Sequence, residues 1–249
     1  TLRYLSLYIG SVSMRLKEKV AVVTGGGRGI GKAIALAMAV EGADVVVLSR
    51  TVTEIEDVAA KIRELGRQGY AWKVDVKDET QVREVIRKIM DQCGRVDILV
   101  NNAGVVHIQP LIETATERWE ETLSVNLTGT FLVTKYVLPQ MIRRKSGCII
   151  NIASEAGLKG FANFSTYCTT KFGLIGLTQA LAKEMESYHI NVNAICPALV
   201  GTQMSREVRS VKEWKLMQPK DIADVAVFLA TSEARAINGT AIEVLWRTL

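Results

Sequence analysis

The sequence predicts an α/β fold: a single doubly wound domain with a parallel sheet of about seven strands and helices on both faces. First, short apolar runs alternate with longer segments of helical periodicity, which is typical of βαβ units. Second, three of the helical segments stop at a glycine, at Gly42, Gly66 and Gly94. Third, a single α/β domain commonly reaches the length of 249 residues. We therefore expect residues 14–249 to form one domain.

The elements follow one another in a regular order along the chain. Each predicted strand is rich in apolar residues, as expected where helices cover both faces of a sheet. The predicted strands are 20–24, 44–48, 71–76, 97–100, 148–152, 191–195 and 241–244. The predicted helices are 32–41, 54–65, 79–93, 117–144, 165–188 and 221–230. Residues 202–218 are polar and weakly periodic, so we expect a flap or lid there.

Residues 1–13 precede Met14 and do not begin with methionine. They lack the longer apolar stretch and the small-residue cleavage site of a signal peptide. No run in the sequence approaches the roughly 18 apolar residues that a membrane-spanning helix needs. We expect a leader or an N-terminal extension here, with a targeting or membrane role as the alternative.

The composition excludes several classes of protein. A hydrophobic fraction of 48% with 23% charged residues excludes a disordered chain. Four cysteines without a C-x-x-C pair favour free thiols in a reducing cytosol over a disulfide scaffold or a zinc site, so we expect a cytoplasmic protein. The two histidines, His107 and His189, have no metal-ligand spacing, and no metal is expected.

The chain has 31 Lys and Arg residues against 26 Asp and Glu residues, which gives a formal net charge of +5. Such an excess could serve nucleic acid, an acidic membrane surface or a small phosphorylated ligand. The basic residues are spread among acidic ones, and the densest cluster, at 143–145, ends a predicted helix and complements its dipole. We therefore expect neither nucleic acid nor a membrane as a partner.

A glycine-rich turn follows the first predicted strand and leads directly into a helix. Its glycines allow the backbone to turn tightly and to approach a pyrophosphate, which the free N–H groups of the helix would then face. The residues of this candidate phosphate site are Gly25, Arg28, Gly29, Ile30 and Gly31. A tight strand-to-helix turn without a ligand is the alternative.

The second predicted strand ends at Ser49-Arg50-Thr51, where an acidic residue would select NAD by binding the adenosine ribose hydroxyls. A hydroxyl and a guanidinium would instead bind a 2′-phosphate, and Arg28 in the glycine turn can approach the same group. The sequence therefore predicts NADP(H) rather than NAD(H). Alternatively, Arg50 merely solvates the end of the strand.

Three separated features meet at the carboxyl edge of the predicted sheet. Asn101-Asn102-Ala103-Gly104 follows the fourth strand, Ser154 follows the fifth, and Tyr167 and Lys171 lie on the next helix. Residues four apart share one helix face. Reduction of a carbonyl by hydride needs a proton donor, and a nearby ammonium lowers the pKa of a tyrosine from about 10. We expect Tyr167 to be that donor.

In this order and combination, the motifs resemble the short-chain dehydrogenase/reductase family from about residue 16 to residue 244. The resemblance implies a Rossmann-type domain, a homotetramer or homodimer, and hydride transfer between a nicotinamide and a ketone or secondary alcohol. It implies Tyr167 as general acid and base, Lys171 on the nicotinamide ribose, Ser154 on the substrate carbonyl and Asn126 on a water that links Lys171 to solvent. It also implies cofactor contacts at Asp75, Val76, Asn102, Ala103, Gly104, Pro197, Val200 and Thr202.

Two of these positions have a structural alternative. Asp75 could cap the helix that follows it, and Asn126 could bond to backbone inside a helix. The family often has glycine where this chain has Ala198, which a negative φ would tolerate. The end of the chain, at 245–247, also departs from the family and leaves an oligomer contact open.

The substrate is less well specified than the chemistry. Within the family the chain is similar to 3-oxoacyl-[acyl-carrier-protein] reductases and to sugar and polyol dehydrogenases. His107 and Glu155 could bind a hydroxylated substrate, whereas Phe161 could form an apolar wall. We expect a small carbonyl or alcohol substrate, carrier-bound in the 3-oxoacyl case. A catalytically quiet NADP-binding sensor is the alternative from another class.

Overall fold

The computed structural model describes residues 14–207 and 216–245. Its strands are β1 Val20–Thr24, β2 Asp44–Ser49, β3 Gly69–Lys73, β4 Ile98–Asn101, β5 Gly147–Ile152, β6 Ile190–Pro197 and β7 Ala241–Val244. Its helices are α1 Gly29–Val40, α2 Val52–Glu64, α3 Glu79–Cys93, α4 Thr116–Leu123, α5 Gly129–Arg144, α6 Ser165–Met185 and α7 Pro219–Ala230. The expectations for 1–13, for the end of the chain from residue 246 and for residues 208–215 of the lid lie outside the described residues.

The seven strands form one parallel sheet in the order β3-β2-β1-β4-β5-β6-β7. Successive side chains of a strand point to opposite faces. Accordingly, Ala21 and Val23 join the apolar core under α1, α2 and α7, while Val22 joins the core under α3, α5 and α6. The doubly wound α/β fold with helices on both faces is confirmed.

The third strand occupies a different stretch from the one that the sequence predicts. It runs over Gly69–Lys73 instead of 71–76, because its only neighbour among the described strands, β2, ends at Ser49, which pairs with Lys73. Asp75 and Val76 therefore lie beyond the sheet. The apolar character of 74 and 76 comes from packing on the α3 and α5 layer and not from strand pairing.

The long helix predicted over 117–144 is interrupted. A π-helical segment, Ser124–Thr128, separates α4 from α5, and Asn126 lies in it. Such segments often occur at functional sites. The spacing of apolar residues does not reveal this interruption in the sequence, because the chain continues in the same direction through the π-helical segment.

Strand order reverses between β1 and β4, whose ends carry Thr24 and Asn101. In open parallel sheets, ligands bind at such a point, beyond the carboxyl ends of the strands. Within the described residues, no helix is both long and apolar enough to cross a membrane.

Candidate active site

The glycine turn between β1 and α1 needs glycine for two different reasons. Gly25 and Gly29 adopt positive φ angles of +62° and +54°, which L side chains rarely adopt. At Gly31 there is no room, because a Cβ would overlap the carbonyl oxygen of Gly25 and the side-chain amide of Asn102. The turn is therefore held close against the chain segment that follows β4.

The N-terminus of α1 is suited to an anion. Arg28 occupies the N-cap without a side-chain hydrogen bond to the helix, and the first turn has no acidic residue. By contrast, α2, α3, α4 and α7 each carry an acidic residue in the first turn. Uncapped N–H groups and the helix dipole favour a phosphate at this end. The residues present thus fit the pyrophosphate of a dinucleotide.

Thr24 joins the glycine turn to the segment after β4. Its buried hydroxyl accepts hydrogen bonds from the backbone amides of Asn102, at 3.0 Å, and Ala103, at 3.1 Å. The side chain of Asn102 in turn donates to the carbonyl oxygens of Thr24 and Gly25. Asn102 therefore fixes the shape of the turn from the opposite side, next to Ala103 and Gly104.

The end of β2 lies directly beside the glycine turn, because the backbone amide of Gly26 donates to the carbonyl of Leu48 at 3.3 Å. Ser49 closes a small turn in which its hydroxyl accepts from the amide of Thr51. Arg50 is exposed. This arrangement brings Ser49, Arg50 and Arg28 to one corner of the candidate cofactor site.

Asp75 and Val76 occupy the loop between β3 and α3. Asp75 does not cap α3, because Asp78 does so by accepting hydrogen bonds from the amides of Thr80 and Gln81. The Asp75 carboxylate instead accepts from the amide of Lys77. Its role as a helix cap is thereby excluded, and its predicted contact with the cofactor stays a prediction.

Asn126 is buried and hydrogen-bonds to backbone groups, as predicted by the alternative in which this residue has a structural role. Its amide group accepts from the N–H of Val105 at 2.8 Å and donates to the carbonyl of the same residue at 2.9 Å. It also donates to the hydroxyl of Thr170 on α6 at 3.2 Å. The side chain thus joins the loop after β4 to the helix that carries Tyr167 and Lys171.

Lys171 is buried in the second turn of α6, where its ammonium group donates to the carbonyl oxygen of Ile152 at 2.8 Å. Burial lowers the pKa of Lys171 to about 8. The ammonium lies 5.4 Å from the centre of the Tyr167 ring. The lysine therefore stands between the end of β5 and the phenol, still largely protonated at neutral pH.

Tyr167 differs in one respect from the expectation. Burial raises its pKa to about 12, and the interaction with the Ser154 side chain only partly opposes this rise. For the protein groups alone, desolvation of the phenolate is thus the larger effect, and the net pKa of Tyr167 is raised and not lowered. The phenol keeps its proton at neutral pH, as a proton donor must.

Ser154 follows β5 and begins a short helical turn, Glu155–Gly157, by accepting a hydrogen bond from the amide of Ala156. Its hydroxyl interacts with Tyr167. Ser154, Tyr167 and Lys171 thus come together at the carboxyl edge of the sheet, as their order in the sequence predicts.

The segment after β6 approaches the glycine turn from the other side. A Cβ on Gly29 would lie 3.3 Å from the methyl group of Thr202. Pro197 ends β6, and Val200 forms a bridge with Met217. Ala198 is not among the described non-glycine residues with positive φ, so alanine fits without strain in place of the family's glycine.

The three candidate substrate residues have protein partners of their own. His107 lies 3.2 Å from the carboxylate of Glu121, and Glu155 is paired with Lys159. Phe161 is partly exposed and belongs to a row of rings, with centres 6.1 Å apart between Phe161 and Phe164 and 6.3 Å apart between Phe164 and Tyr167. The aromatic row leads from the surface to the phenol of Tyr167.

In the part of the chain that the structure describes, the remaining reactive side chains do not form a second centre. All four cysteines are free, and burial raises the pKa of Cys148 to about 12 and those of Cys93 and Cys196 to about 11. Thiols of this kind are poor nucleophiles at neutral pH. Among the described residues, no group of His, Cys, Asp and Glu could hold a metal ion. Arg144, from the basic cluster, is bound to Asp97.

Four groups take part in the site without any motif to mark them. They are the carbonyl of Ile152, which holds Lys171, the hydroxyl of Thr170, which holds Asn126, and the side chains of Gln203 and Glu54, which both lie beside Arg28. A backbone carbonyl leaves no trace in a sequence. Glu54 had one signal, its place in the first turn of α2 next to the cofactor corner.

Comparison with known proteins agrees with this geometry. The family model of short chain dehydrogenases matches residues 19–213. The chain is 40% identical over 248 residues to "Uncharacterized oxidoreductase YxjF" of Bacillus subtilis, covering 91% of this chain and 96% of that protein. It is 34% identical over 240 residues to the 3-oxoacyl-[acyl-carrier-protein] reductase FabG of Thermotoga maritima, covering 93% and 98%.

A solved structure from Beutenbergia cavernae also resembles this fold, with a TM-score of 0.88, 33% identity and coverage of 94% of this chain and 97% of that one. It is described as a "putative NAD(P) dependent gluconate 5-dehydrogenase" with NADP bound at low occupancy. The chain belongs to the short-chain dehydrogenase family. It is an oxidoreductase of the kind that acts on CH–OH and C=O groups, with a nicotinamide cofactor.

Proposed function

We propose that the protein is an NADP(H)-dependent oxidoreductase that interconverts a ketone and a secondary alcohol, with Tyr167 as general acid and base. The observation that carries the proposal is the meeting of Tyr167, Lys171 and Ser154 at the carboxyl edge of the sheet, the same edge at which the uncapped helix α1 begins. A proton donor, a cation and a hydroxyl at the same edge of the sheet as a site that suits a dinucleotide support hydride transfer coupled to proton transfer.

The nicotinamide, when bound, would supply or accept the hydride. Gly25, Gly29, Ile30 and Gly31 would hold the pyrophosphate, while Asn102–Gly104 and the segment from Pro197 to Thr202 would line the rest of the cleft. Ser49, Arg50, Thr51 and Arg28 favour NADP(H), because two guanidinium groups attract a 2′-phosphate and Ser49 replaces the carboxylate that would repel it.

The protein's own groups account for the proton. The Tyr167 phenol is protonated at neutral pH and donates to the oxygen that becomes negative as hydride arrives. Ser154 supplies a hydrogen bond to the same oxygen, which helps to stabilise its charge. Lys171, with a pKa of about 8, is mostly cationic at neutral pH, so it stabilises the phenolate that forms when Tyr167 donates its proton.

For the substrate we propose a ketone with an apolar body, with 3-oxoacyl thioesters, including carrier-bound ones, as the leading class. The ring row from Phe161 to Tyr167 supports this choice, because it offers an apolar wall beside the phenol. Glu155 and His107 are held by Lys159 and Glu121, which makes them less available to sugar hydroxyls. A sugar or polyol dehydrogenase is the second candidate, supported by the Beutenbergia relative.

We further propose that the protein is a cytoplasmic homodimer or homotetramer. Its four unpaired cysteines suit a reducing compartment. Phe131 on α5 and Phe172 on α6 are each 47% exposed, and Phe131 lines a groove together with Leu138 and Leu177. Exposed apolar surface of this kind favours contact with a second copy of the chain.

The proposed function is tested by screening a panel of ketones, 3-oxoacyl thioesters and sugars with NADPH and NADH in parallel, following the nicotinamide absorbance. We expect turnover of apolar ketones with NADPH. Tyr167→Phe is expected to lower kcat by at least about 100-fold, because it removes the proton donor, while Kd for NADPH stays within about two-fold. Turnover by Tyr167→Phe at the wild-type rate would refute the assigned acid. Tight NADPH binding without turnover of any substrate would favour a sensor.

A further inference from the structure

An acidic side chain lies against the glycine turn, on the side that faces the end of β2. Glu54 is the third residue of α2, and its side chain is 34% exposed. A Cβ added to Gly27 would meet the Cβ of Glu54 at 2.8 Å and its Oε2 at 3.2 Å. The side chain of Glu54 therefore packs against the glycine turn itself, at Gly27.

The same carboxylate lies close to Arg28. The Nη1 atom of Arg28 is 3.7 Å from Oε1 of Glu54, and it donates to the Oε1 atom of Gln203 at 2.9 Å. Arg28 is thus held from two sides, by an anionic group on α2 and by a neutral amide on the segment after β6. The guanidinium that the proposed function assigns to a 2′-phosphate already has a negative partner.

Glu54 would weaken the binding of a 2′-phosphate at this corner in two ways. Its own negative charge would be repelled by the carboxylate, and it would have to compete with Glu54 for the Arg28 guanidinium. A cofactor with free ribose hydroxyls carries no charge at this position, so it would experience neither effect. Glu54 therefore acts on the two cofactors unequally.

We propose that Glu54 is a specificity-determining residue that weakens the binding of the 2′-phosphorylated cofactor and narrows the preference of this protein for NADP(H) over NAD(H). The inference rests on the proposed NADP(H) dependence, and it adds one residue that weakens the binding of the 2′-phosphate. Arg28 and Arg50 attract the phosphate, and Glu54 offsets part of that attraction.

The test compares four ligands that separate the 2′-phosphate from the nicotinamide end: NADPH, NADH, 2′,5′-ADP and 5′-AMP. Their Kd values are measured by titration calorimetry for the wild-type chain, Glu54→Gln, Arg28→Ala and the double variant. Glu56→Gln is the matched control, because it removes the same charge from an exposed position of α2. Thermal unfolding checks that each variant is folded.

We expect Glu54→Gln to tighten NADPH and 2′,5′-ADP by about three- to five-fold, the upper part of the range for a partly exposed charge, and to change NADH and 5′-AMP by less than about two-fold. The gain should be smaller in the Arg28→Ala background, because the competition for Arg28 is then absent. It should also shrink at high salt. Glu56→Gln should leave all four Kd values nearly unchanged.

Two outcomes would overturn the inference. If Glu54→Gln changes the binding of 2′,5′-ADP no more than Glu56→Gln does, the carboxylate does not oppose the phosphate. If Glu54→Gln weakens NADH and 5′-AMP, Glu54 binds the ribose hydroxyls instead. The variant Arg50→Ala tests the proposed NADP(H) dependence separately from the role of Glu54. If Arg50→Ala weakens the binding of 2′,5′-ADP but not of 5′-AMP, the NADP(H) assignment stands whatever the result for Glu54.

Discussion

The ammonium group of Lys171 lies in a position that most lysines avoid. The residue is only 4% exposed, and its hydrogen bond to the carbonyl of Ile152 replaces only part of its hydration. Burial lowers its pKa from 10.5 to about 8, so the protonated form that catalysis needs is destabilised by the fold. Active sites commonly keep such groups at a cost in stability.

Lys171→Met is therefore expected to abolish turnover and yet to stabilise the fold, by about 1–3 kcal/mol at neutral pH. The folded-state pKa is lower than the unfolded value, so the unfolded chain binds more protons between about pH 8 and 10.5. The wild type consequently gains stability as pH rises through that window, and the advantage of the variant should shrink. Urea unfolding at about pH 7 and about pH 9.5 measures both effects.

The control for this comparison is Lys183→Met on the same helix, because the side chain of Lys183 is 84% exposed. Its unfolding midpoint should stay close to that of the wild type at both pH values. A Lys171→Met variant that is less stable than the wild type at neutral pH would contradict the assignment of a desolvation cost, and would mean that the bond to Ile152 dominates.

Single residues of the site were predictable where side-chain chemistry and spacing coincide. Tyr167 and Lys171 share a helix face because they are four apart, and Gly25 and Gly29 take the positive φ angles for which glycine is suited. The pKa of Tyr167 was not predictable, because it depends on how far the surrounding protein excludes water. That quantity belongs to the assembled pocket and not to any local pattern.

At the scale of elements, the π-helical segment Ser124–Thr128 brings Asn126 from between two helices into contact with the helix that carries Tyr167 and Lys171. Inside this segment, Asn126 directs its amide at both backbone groups of Val105 and at Thr170. Polar groups in this loop are thereby satisfied without a strand partner. The sequence predicts one uninterrupted helix because the apolar spacing barely changes across a single π turn.

Asn126→Ala is expected to lower the free energy of unfolding by about 2–4 kcal/mol, because it leaves the partly buried amide and carbonyl of Val105 without their partner. Thr170→Val is the matched comparison, since it conserves shape and removes two hydrogen bonds, the one from Asn126 and the one to the carbonyl of Tyr167. It should cost about 1–2 kcal/mol. Urea unfolding measures both. A smaller loss for Asn126→Ala than for Thr170→Val would show that the Val105 contacts contribute little.

Across the whole molecule, sheet order brings the site together. β1, β4, β5 and β6 are neighbours in the sheet although far apart in sequence, so the groups that follow them meet at one edge. Asp97 supports the opposite end of the sheet by accepting from the amide of Val20 and from Arg95 and Arg144. Alternation of strands and helices predicts this arrangement, whereas the exact end of edge strand β3 depends on where β2 stops.

The outer faces of α5 and α6 give the last prediction, which concerns assembly. Phe131 and Phe172 expose apolar surface that a single chain leaves in water, and a symmetric contact would bury both copies of it. Phe131→Glu would place a charge in that contact, and we expect it to shift the mass measured by light scattering from dimer or tetramer to a smaller species. Leu65→Glu, a comparable change at an exposed position at the end of α2, should leave the mass unchanged. A monomeric wild type would contradict the proposed assembly. An assembly whose mass is unchanged by Phe131→Glu would mean that the contact between copies does not involve Phe131.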